Sequence, residues 1–133
     1  MKTSGLIKTA WQLYGVPYAL PPVNELRFKI PFLFDEWKDE MYFGHYKPIC
    51  FQFSLATDAT WDPGVSEDCL YMNIWAPREA IENGEKLPVQ VYFHGGSYNM
   101  GTNMFRDTDG TILADRQNII TVWVLEIKVP IFD

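Results

Sequence analysis

The stretch that most constrains the fold is a short apolar run that ends abruptly at a pair of glycines. The run covers residues 89–94 (Val-Gln-Val-Tyr-Phe-His), is preceded by Pro88 and is followed by Gly95 and Gly96. β-Branched and aromatic residues favour a buried strand, and a proline fits only at its beginning. Two adjacent glycines permit a sharp turn whose N–H groups are not shielded by a Cβ atom. The sequence therefore predicts a strand that leads into a turn with accessible backbone donors.

Composition and charge exclude several classes of function. The 133 residues suffice for one domain with its own core, and an apolar content of 47% excludes a disordered chain. The formal net charge is −6 and no long run of Lys or Arg occurs, so we do not expect nucleic acid as a partner. The two histidines and two cysteines lack the spacing of metal ligands, and we expect neither a metal nor another cofactor. Residues 1–5 lack the apolar segment of a signal peptide, and no stretch is long and apolar enough to span a membrane.

Apolar runs predict the strands of one sheet, at 70–76, 88–93 and 119–125. The dipeptide Asn83-Gly84 between the first two runs is a hairpin signal, so we predict that these strands pair antiparallel. A short helix is predicted at 111–116, between the second and third runs. A connecting helix favours parallel pairing of those two strands.

The remaining segments show weaker patterns. Residues 5–18 predict a short hairpin or an extended pair that ends at Pro17, and residues 50–69 predict a loop. Residues 31–48 are predicted to be irregular, with a turn of helix near 35–41. No internal repeat or linker divides the chain. We predict an α/β fold in which a mixed sheet carries antiparallel strands at its N-terminal side.

Motifs in four regions, taken in order, resemble those of the type-B carboxylesterase and cholinesterase family of α/β-hydrolases. They are Tyr14–Pro22 with Glu25–Phe28, Ser66–Trp75, His94–Gly96, and Asp109-Gly110 with Leu113-Ala114. The resemblance implies the N-terminal part of an α/β-hydrolase fold, with residues 1–133 forming a partial type-B carboxylesterase domain. It also implies a serine carboxylic-ester hydrolase whose full-length form acts on small-molecule esters. The family resemblance further implies an extracellular or secretory location, although this chain contains no signal peptide.

By the same resemblance, the glycine turn corresponds to the oxyanion hole of these esterases. The hole is assigned to Gly95, Gly96 and Ser97, where the family has a further glycine in place of Ser97. His94 resembles the family's loop histidine, whose role is to hold the turn by hydrogen bonds. The alternative is that the two glycines only turn a strand into a loop.

No residue of the catalytic triad is identified in the chain. The sequence contains no Gly-x-Ser-x-Gly string. Ser97 lies in the oxyanion position, so we do not expect it to be the nucleophile, and neither His94 nor His45 is expected to be its base. The chain departs from the family pattern after Val122 and is predicted to end before the nucleophile elbow. We therefore expect it to be inactive on its own.

Two further assignments rest on the resemblance. Cys50 and Cys69 match the family's first disulfide, although free thiols are the alternative if the protein stays in a reducing compartment. Trp61 resembles the cholinesterase tryptophan that binds a quaternary ammonium by a cation–π interaction. The alternative is that Trp61 is an ordinary aromatic residue of a loop.

Two other hypotheses for the whole protein stay open. The string 94–98 is closer to the neuroligins, which share the fold but bind partners without catalysis. The second hypothesis is that the chain is a non-functional truncated product. A sheet that lacks its later strands would expose strand 119–125 as an apolar edge, and this predicts self-association.

Overall fold

The computed structural model describes residues 10–38, 40–52, 63–104 and 109–127. The strands and helices, in chain order, are β1 (Ala10–Pro17), a 3-10 turn (Asn24–Leu26), β2 (Ile49–Cys50), β3 (Val65–Ser66), β4 (Tyr71–Pro77), α1 (Arg78–Glu82), β5 (Val89–Phe93), α2 (Thr111–Gln117) and β6 (Ile120–Val124). Four of the strands form one mixed sheet in the order β1-β4-β6-β5, and β2 pairs with β3 in a separate parallel pair. The predicted α/β architecture with antiparallel strands at its N-terminal side is confirmed.

The parallel pair at the C-terminal side of the sheet was predicted correctly. β5 runs parallel to β6 from the pair Val89 and Ile120 to the pair Phe93 and Val124. The helix predicted at 111–116 is α2, which precedes β6, packs against β4 and β1, and buries Thr111 and Ala114. A helical connection therefore carries the chain back to a parallel neighbour, as the spacing indicated.

The predicted hairpin between strands 70–76 and 88–93 is wrong. Residues 78–82 form α1, and the Asn83 and Gly84 N–H groups donate to the carbonyls of Glu79 and Ile81 at 2.9 and 3.0 Å. Gly84 has a φ of 71°, so this dipeptide ends a helix instead of closing a two-residue turn. β6 then lies between β4 and β5 and is antiparallel to β4.

The strand order also corrects the predicted sheet edge. Strand 119–125 is not an edge, because β6 has a hydrogen-bonded neighbour on each side. The edge on this side of the sheet is β5, and all five of its residues are exposed. Val89, Val91 and Phe93 alternate along it and are each at least half exposed, at 57%, 50% and 59%. The apolar edge is therefore present, but on a different strand.

β1 is a single strand that pairs with β4, so the hairpin or extended pair predicted within 5–18 is wrong for residues 10–18. Residues 1–9 lie outside the described part. The β1–β4 register shifts between Leu13 and Val16, at Gly15, which has a φ of 69°. A side chain at Gly15 would be 2.8 Å from the His45 carbonyl oxygen. Glycine is therefore required at the bulge of β1, where the strand packs closely against the segment that contains His45.

The main buried cluster lies at one end of the sheet. It contains Ala19, Ile49, Cys50, Cys69, Leu70 and Leu125.

The predicted loop 50–69 includes the β2–β3 pair at its ends. No helix forms in the described part of 35–41, contrary to the prediction. Over the described ranges, no helix is long and apolar enough to cross a membrane.

Candidate functional site

The predicted turn follows β5 directly. The Gly96 carbonyl oxygen accepts hydrogen bonds from the N–H groups of Asn99 and Met100, at 3.0 and 3.2 Å. Gly96 has a φ of 133°, and a Cβ atom there would overlap the Met100 carbonyl. A Cβ atom on Gly95 would meet no atom within 4 Å. Of the two glycines, it is therefore Gly96 that the turn requires.

Ser97 and Tyr98 extend the left-handed part of the turn, with φ values of 52° and 59°. This conformation is uncommon for residues with a side chain and costs free energy, so consecutive examples mark a strained turn. Within the described residues, the N–H groups of Gly96 and Ser97 donate to no acceptor. The turn therefore presents two neighbouring backbone donors that its own hydrogen bonds leave available.

The structure brings no base to Ser97 within the described residues. His94 Nδ1 lies 2.9 Å from the Gly95 carbonyl oxygen, and the His45 ring packs against Tyr42. A nucleophilic serine needs a base within hydrogen-bond distance. That Ser97 is not the nucleophile stays a prediction.

His94 is buried beneath the turn, with 4% of its surface exposed. Its ring contacts Gly101, where a Cβ atom would overlap Nδ1. Gly101 is also buried and has a φ of 146°, a conformation open to glycine alone. His94 thus lies between the start of the turn, at Gly95, and its end, at Gly101. Its assignment as a loop-positioning residue stays a prediction.

Gln52 was missed by the sequence analysis and joins the end of this turn to β2. Its side-chain amide accepts from the Gly101 N–H and donates to the Gly101 carbonyl, both at 2.9 Å. The same Nε2 donates to the Cys50 carbonyl at 3.2 Å. No periodic pattern singles out an isolated glutamine in a loop, so the sequence carried no signal for it.

Two asparagines hold the chain that follows Gly101, and they too were missed. Buried Asn73 in β4 accepts from the Gly15 N–H at 3.0 Å and donates to the Asn103 carbonyl at 3.1 Å. The Asn103 side chain donates to the carbonyls of Tyr71 and Trp123, at 3.4 and 3.3 Å. Asn73 is the polar residue of an otherwise apolar strand, which is the one signal that could have identified it.

Cys50 and Cys69 form a disulfide with an S–S distance of 2.10 Å, and both residues are buried. The bridge belongs to the main buried cluster and lies two residues from Gln52. It therefore fixes the chain segment that contacts the end of the turn.

Two partly buried tyrosines, Tyr18 and Tyr71, lie near the disulfide. Burial raises the pKa of Tyr18 to about 12, and its hydroxyl donates to the Leu125 carbonyl at 2.7 Å. Burial also raises the pKa of Tyr71, whose hydroxyl donates to an Asp68 carboxylate oxygen at 2.7 Å. Both phenols therefore stay neutral donors at neutral pH.

One small space lies beside the turn. A space of about 10 Å³ is lined by Cys50, Phe51, Gln52, His94, Met100, Gly101 and Glu126, which is room for about one water. A larger cavity of about 250 Å³ lies elsewhere, lined by Gly15, Pro17, Ala19, Pro21, Phe34, Met41, Tyr42, Phe43, Lys47 and Tyr71.

Trp61, the predicted cation site, lies outside the described residues. Among those that are described, no three His, Cys, Asp or Glu side chains are close enough to hold a metal ion.

Comparison with known proteins identifies the family. A model of the carboxylesterase family matches residues 2–125. The chain belongs to the carboxylesterase family. It is 40% identical over 110 residues to a probable cholinesterase of Acanthamoeba polyphaga mimivirus, covering 81% of this chain and 19% of that protein. It is 41% identical over 110 residues to the para-nitrobenzyl esterase of Bacillus subtilis (strain 168), covering 81% of this chain and 22% of that protein.

A solved structure places this carboxylesterase chain in the α/β-hydrolase fold. A PNB esterase superposes with a TM-score of 0.75 at 37% identity, covering 89% of this chain and 23% of that one. The resemblance to type-B carboxylesterases and the fold class predicted from the motifs are confirmed. The chain spans about a fifth of the length of the curated relatives it matches.

Proposed function

We propose that these 133 residues are the N-terminal part of a serine carboxylic-ester hydrolase and supply its oxyanion hole. The observation that carries the proposal is the turn after β5. Its Gly96 and Ser97 N–H groups have no acceptor in the described part of a chain that belongs to the carboxylesterase family. Gly95 completes the assigned hole, and His94 supports the turn from below.

Backbone donors of this kind act on the charge that develops during ester cleavage. A serine oxygen attacks the ester carbonyl carbon, the carbonyl π electrons move to oxygen, and a tetrahedral oxyanion forms. Two N–H groups about 2.7–3.1 Å from that oxygen lower the barrier, and losing one such donor costs about 10²–10³ in turnover. The serine, its base and its acid would come from residues outside this chain, and the substrate would be a small ester.

The chain alone should therefore be inactive. Purified and mixed with a chromogenic acetyl or butyryl ester, it should give no burst of product. An organophosphate probe should leave every serine unlabelled, as judged by mass spectrometry. Covalent labelling of Ser97 would overturn the proposal.

The alternative is a neuroligin-like protein that uses the fold to bind a partner without chemistry. The observation that favours it is Ser97 in the turn, where the esterase pattern has glycine. The residue at the nucleophile elbow decides between the two. Sequencing the parent transcript beyond the codon for Val122 should reveal a serine there, and any other residue would support adhesion.

The exposed edge of β5 supports self-association of the isolated chain. Its edge carries no charged side chain to prevent strand pairing, and three of its apolar residues lie on one face. Sedimentation velocity should show a mass that rises with concentration and a Val91→Lys variant that stays monomeric. Ile112→Lys on α2, which starts from a similar exposure of 51%, is the matched control and should associate like the wild type. A wild-type chain that stays monomeric at all concentrations would contradict this.

A further inference from the structure

We propose that Gln52 is a positioning residue that fixes the Gly101 end of the oxyanion turn and links it to the Cys50–Cys69 disulfide. That this contact matters for catalysis rests on the proposed function. That Gln52 holds Gly101 in place rests only on hydrogen bonds within this chain.

The contact between Gln52 and Gly101 is reciprocal. The Gln52 amide oxygen accepts from the Gly101 N–H, and its nitrogen donates to the Gly101 carbonyl. A carboxamide offers one donor group and one acceptor, side by side, so it satisfies both backbone groups of one residue. A carboxylate lacks the donor, and an aliphatic side chain lacks both.

Gly101 needs this support because it is buried and has a conformation that other residues do not readily adopt. Its φ is 146°, and within the described residues its N–H and carbonyl form hydrogen bonds to Gln52 alone. Buried backbone groups that lose their partners carry a large desolvation cost. Gln52 therefore determines whether Gly101 stays in place.

The position of Gly101 in turn fixes His94 and the turn. The Gly101 α-carbon packs against the His94 ring, and His94 Nδ1 contacts the Gly95 carbonyl at 2.9 Å. A displaced Gly101 would let the ring move, and the Gly96 and Ser97 donors lie directly beyond Gly95. Since such donors act only when they are held in position, a residue remote from the substrate can set their strength.

The link to the disulfide comes from the third hydrogen bond. Gln52 Nε2 also donates to the Cys50 carbonyl, so its amide is oriented by a residue that is itself fixed by the covalent bridge. The side chain therefore connects a rigid part of the chain to a strained turn.

The test is residue-resolved amide hydrogen exchange, by NMR, of the 133-residue chain. Gln52→Met keeps the length of the side chain and removes both hydrogen-bonding groups. We expect the Gly101 amide to exchange about tenfold faster and the Gly96 and Ser97 amide resonances to shift, with the β4 and β6 amides unchanged. Gln12→Ala is the matched control, because Gln12 also donates from its side chain, to Thr111 Oγ1 at 2.9 Å, away from the turn.

A second variant covers the case in which Gln52→Met does not fold. Gln52→Glu keeps an acceptor for the Gly101 N–H but places a carboxylate against the Gly101 carbonyl, so the turn resonances should again shift. Exchange at Gly101 that matches the wild type, or that rises equally at every amide or equally in Gln12→Ala, would overturn the proposal. None of these measurements uses an ester, so a failure of the proposed function would leave them unaffected.

Discussion

The two outer strands of the sheet, β1 and β5, differ in whether other parts of the described chain hydrogen-bond to their outer edges. At the β1 edge, the Tyr14 N–H donates to the Phe43 carbonyl at 2.8 Å, and Tyr14 forms an isolated parallel bridge with Gly44. At the β5 edge, no described segment pairs with the outer side of the strand. One edge is therefore covered by the chain itself, whereas the other stays open beside the candidate site. Within the described residues, the two edges therefore differ in how much backbone they leave available for pairing, and the β5 edge leaves more.

The largest expected effect concerns the turn beside the open edge. Gly101→Ala should lower the free energy of unfolding by about 3–4 kcal/mol, because strain at its φ of 146° adds to overlap with the His94 ring. Urea unfolding followed by circular dichroism measures this loss. Gly84→Ala is the control. Its φ of 71° is also strained, but no atom lies within 4 Å of the position that a Cβ atom would take. This variant should lower the free energy of unfolding by about 1 kcal/mol. Equal losses in the two variants would mean that the turn is not tightly packed.

The next effect tests the support beneath the turn. Reducing the Cys50–Cys69 disulfide, whose partners are 19 residues apart, should lower stability by about 3 kcal/mol. Urea midpoints with and without a phosphine reductant measure the change. A Cys50→Ser, Cys69→Ser double variant should be insensitive to the reductant. If reduction leaves the wild-type midpoint unchanged, the bridge does not support this end of the sheet.

A smaller effect tests the covered side. Asn73→Ala removes the partner of the Gly15 N–H at the bulge of β1 and of the Asn103 carbonyl, and it should cost about 2 kcal/mol. Thermal unfolding measures the loss. Asn99→Ala, on the exposed turn, is the matched control and should stay within about 0.5 kcal/mol of the wild type. A loss no larger than in Asn99→Ala would mean that Asn73 does not anchor the covered side.

The smallest effect is a pH dependence. The Tyr18 phenol ionises near pH 10 when unfolded but near 12 when folded, so the unfolded state loses its proton first. Its contribution to stability is complete below pH 10 and is lost as the pH rises towards 12. Tyr18→Phe should be about 1 kcal/mol less stable at neutral pH, because it loses the bond to the Leu125 carbonyl, and should show a weaker alkaline decline. Parallel alkaline declines in the two proteins would contradict the assignment.

Three strands and one helix could be predicted from the sequence, but the order of the strands in the sheet could not. The apolar runs located β4, β5 and β6 because each is a local pattern. Asn83-Gly84 was misleading because the same two residues suit a hairpin turn and a helix C-terminus. Which strand lies in the middle depends on where α2 returns the chain, and no local pattern encodes that position.

In the candidate site, too, the local feature was predicted from the sequence and the long-range contacts were not. The glycine turn was found from its motif, and its steric reason at Gly96 agrees with the sequence argument. Gln52 and Asn103 were missed because their role depends on partners about 49 and 20–32 residues away along the chain. A hydrogen bond of that kind leaves no periodic trace in the sequence, whereas a disulfide at least shows its two cysteines.

The order of the strands also has a consequence for synthesis on the ribosome. β6 is the last described strand in the chain, yet it lies at the centre of the sheet and is the sole link between β5 and the β1–β4 pair. Until residues 120–124 leave the exit tunnel, β5 lacks the one described strand with which it pairs. Pairings between residues this distant in sequence form slowly, since a long loop must close before any contact offsets its entropy. β5, the strand that leads into the glycine turn, can therefore join the sheet only after almost all of the described chain has been translated.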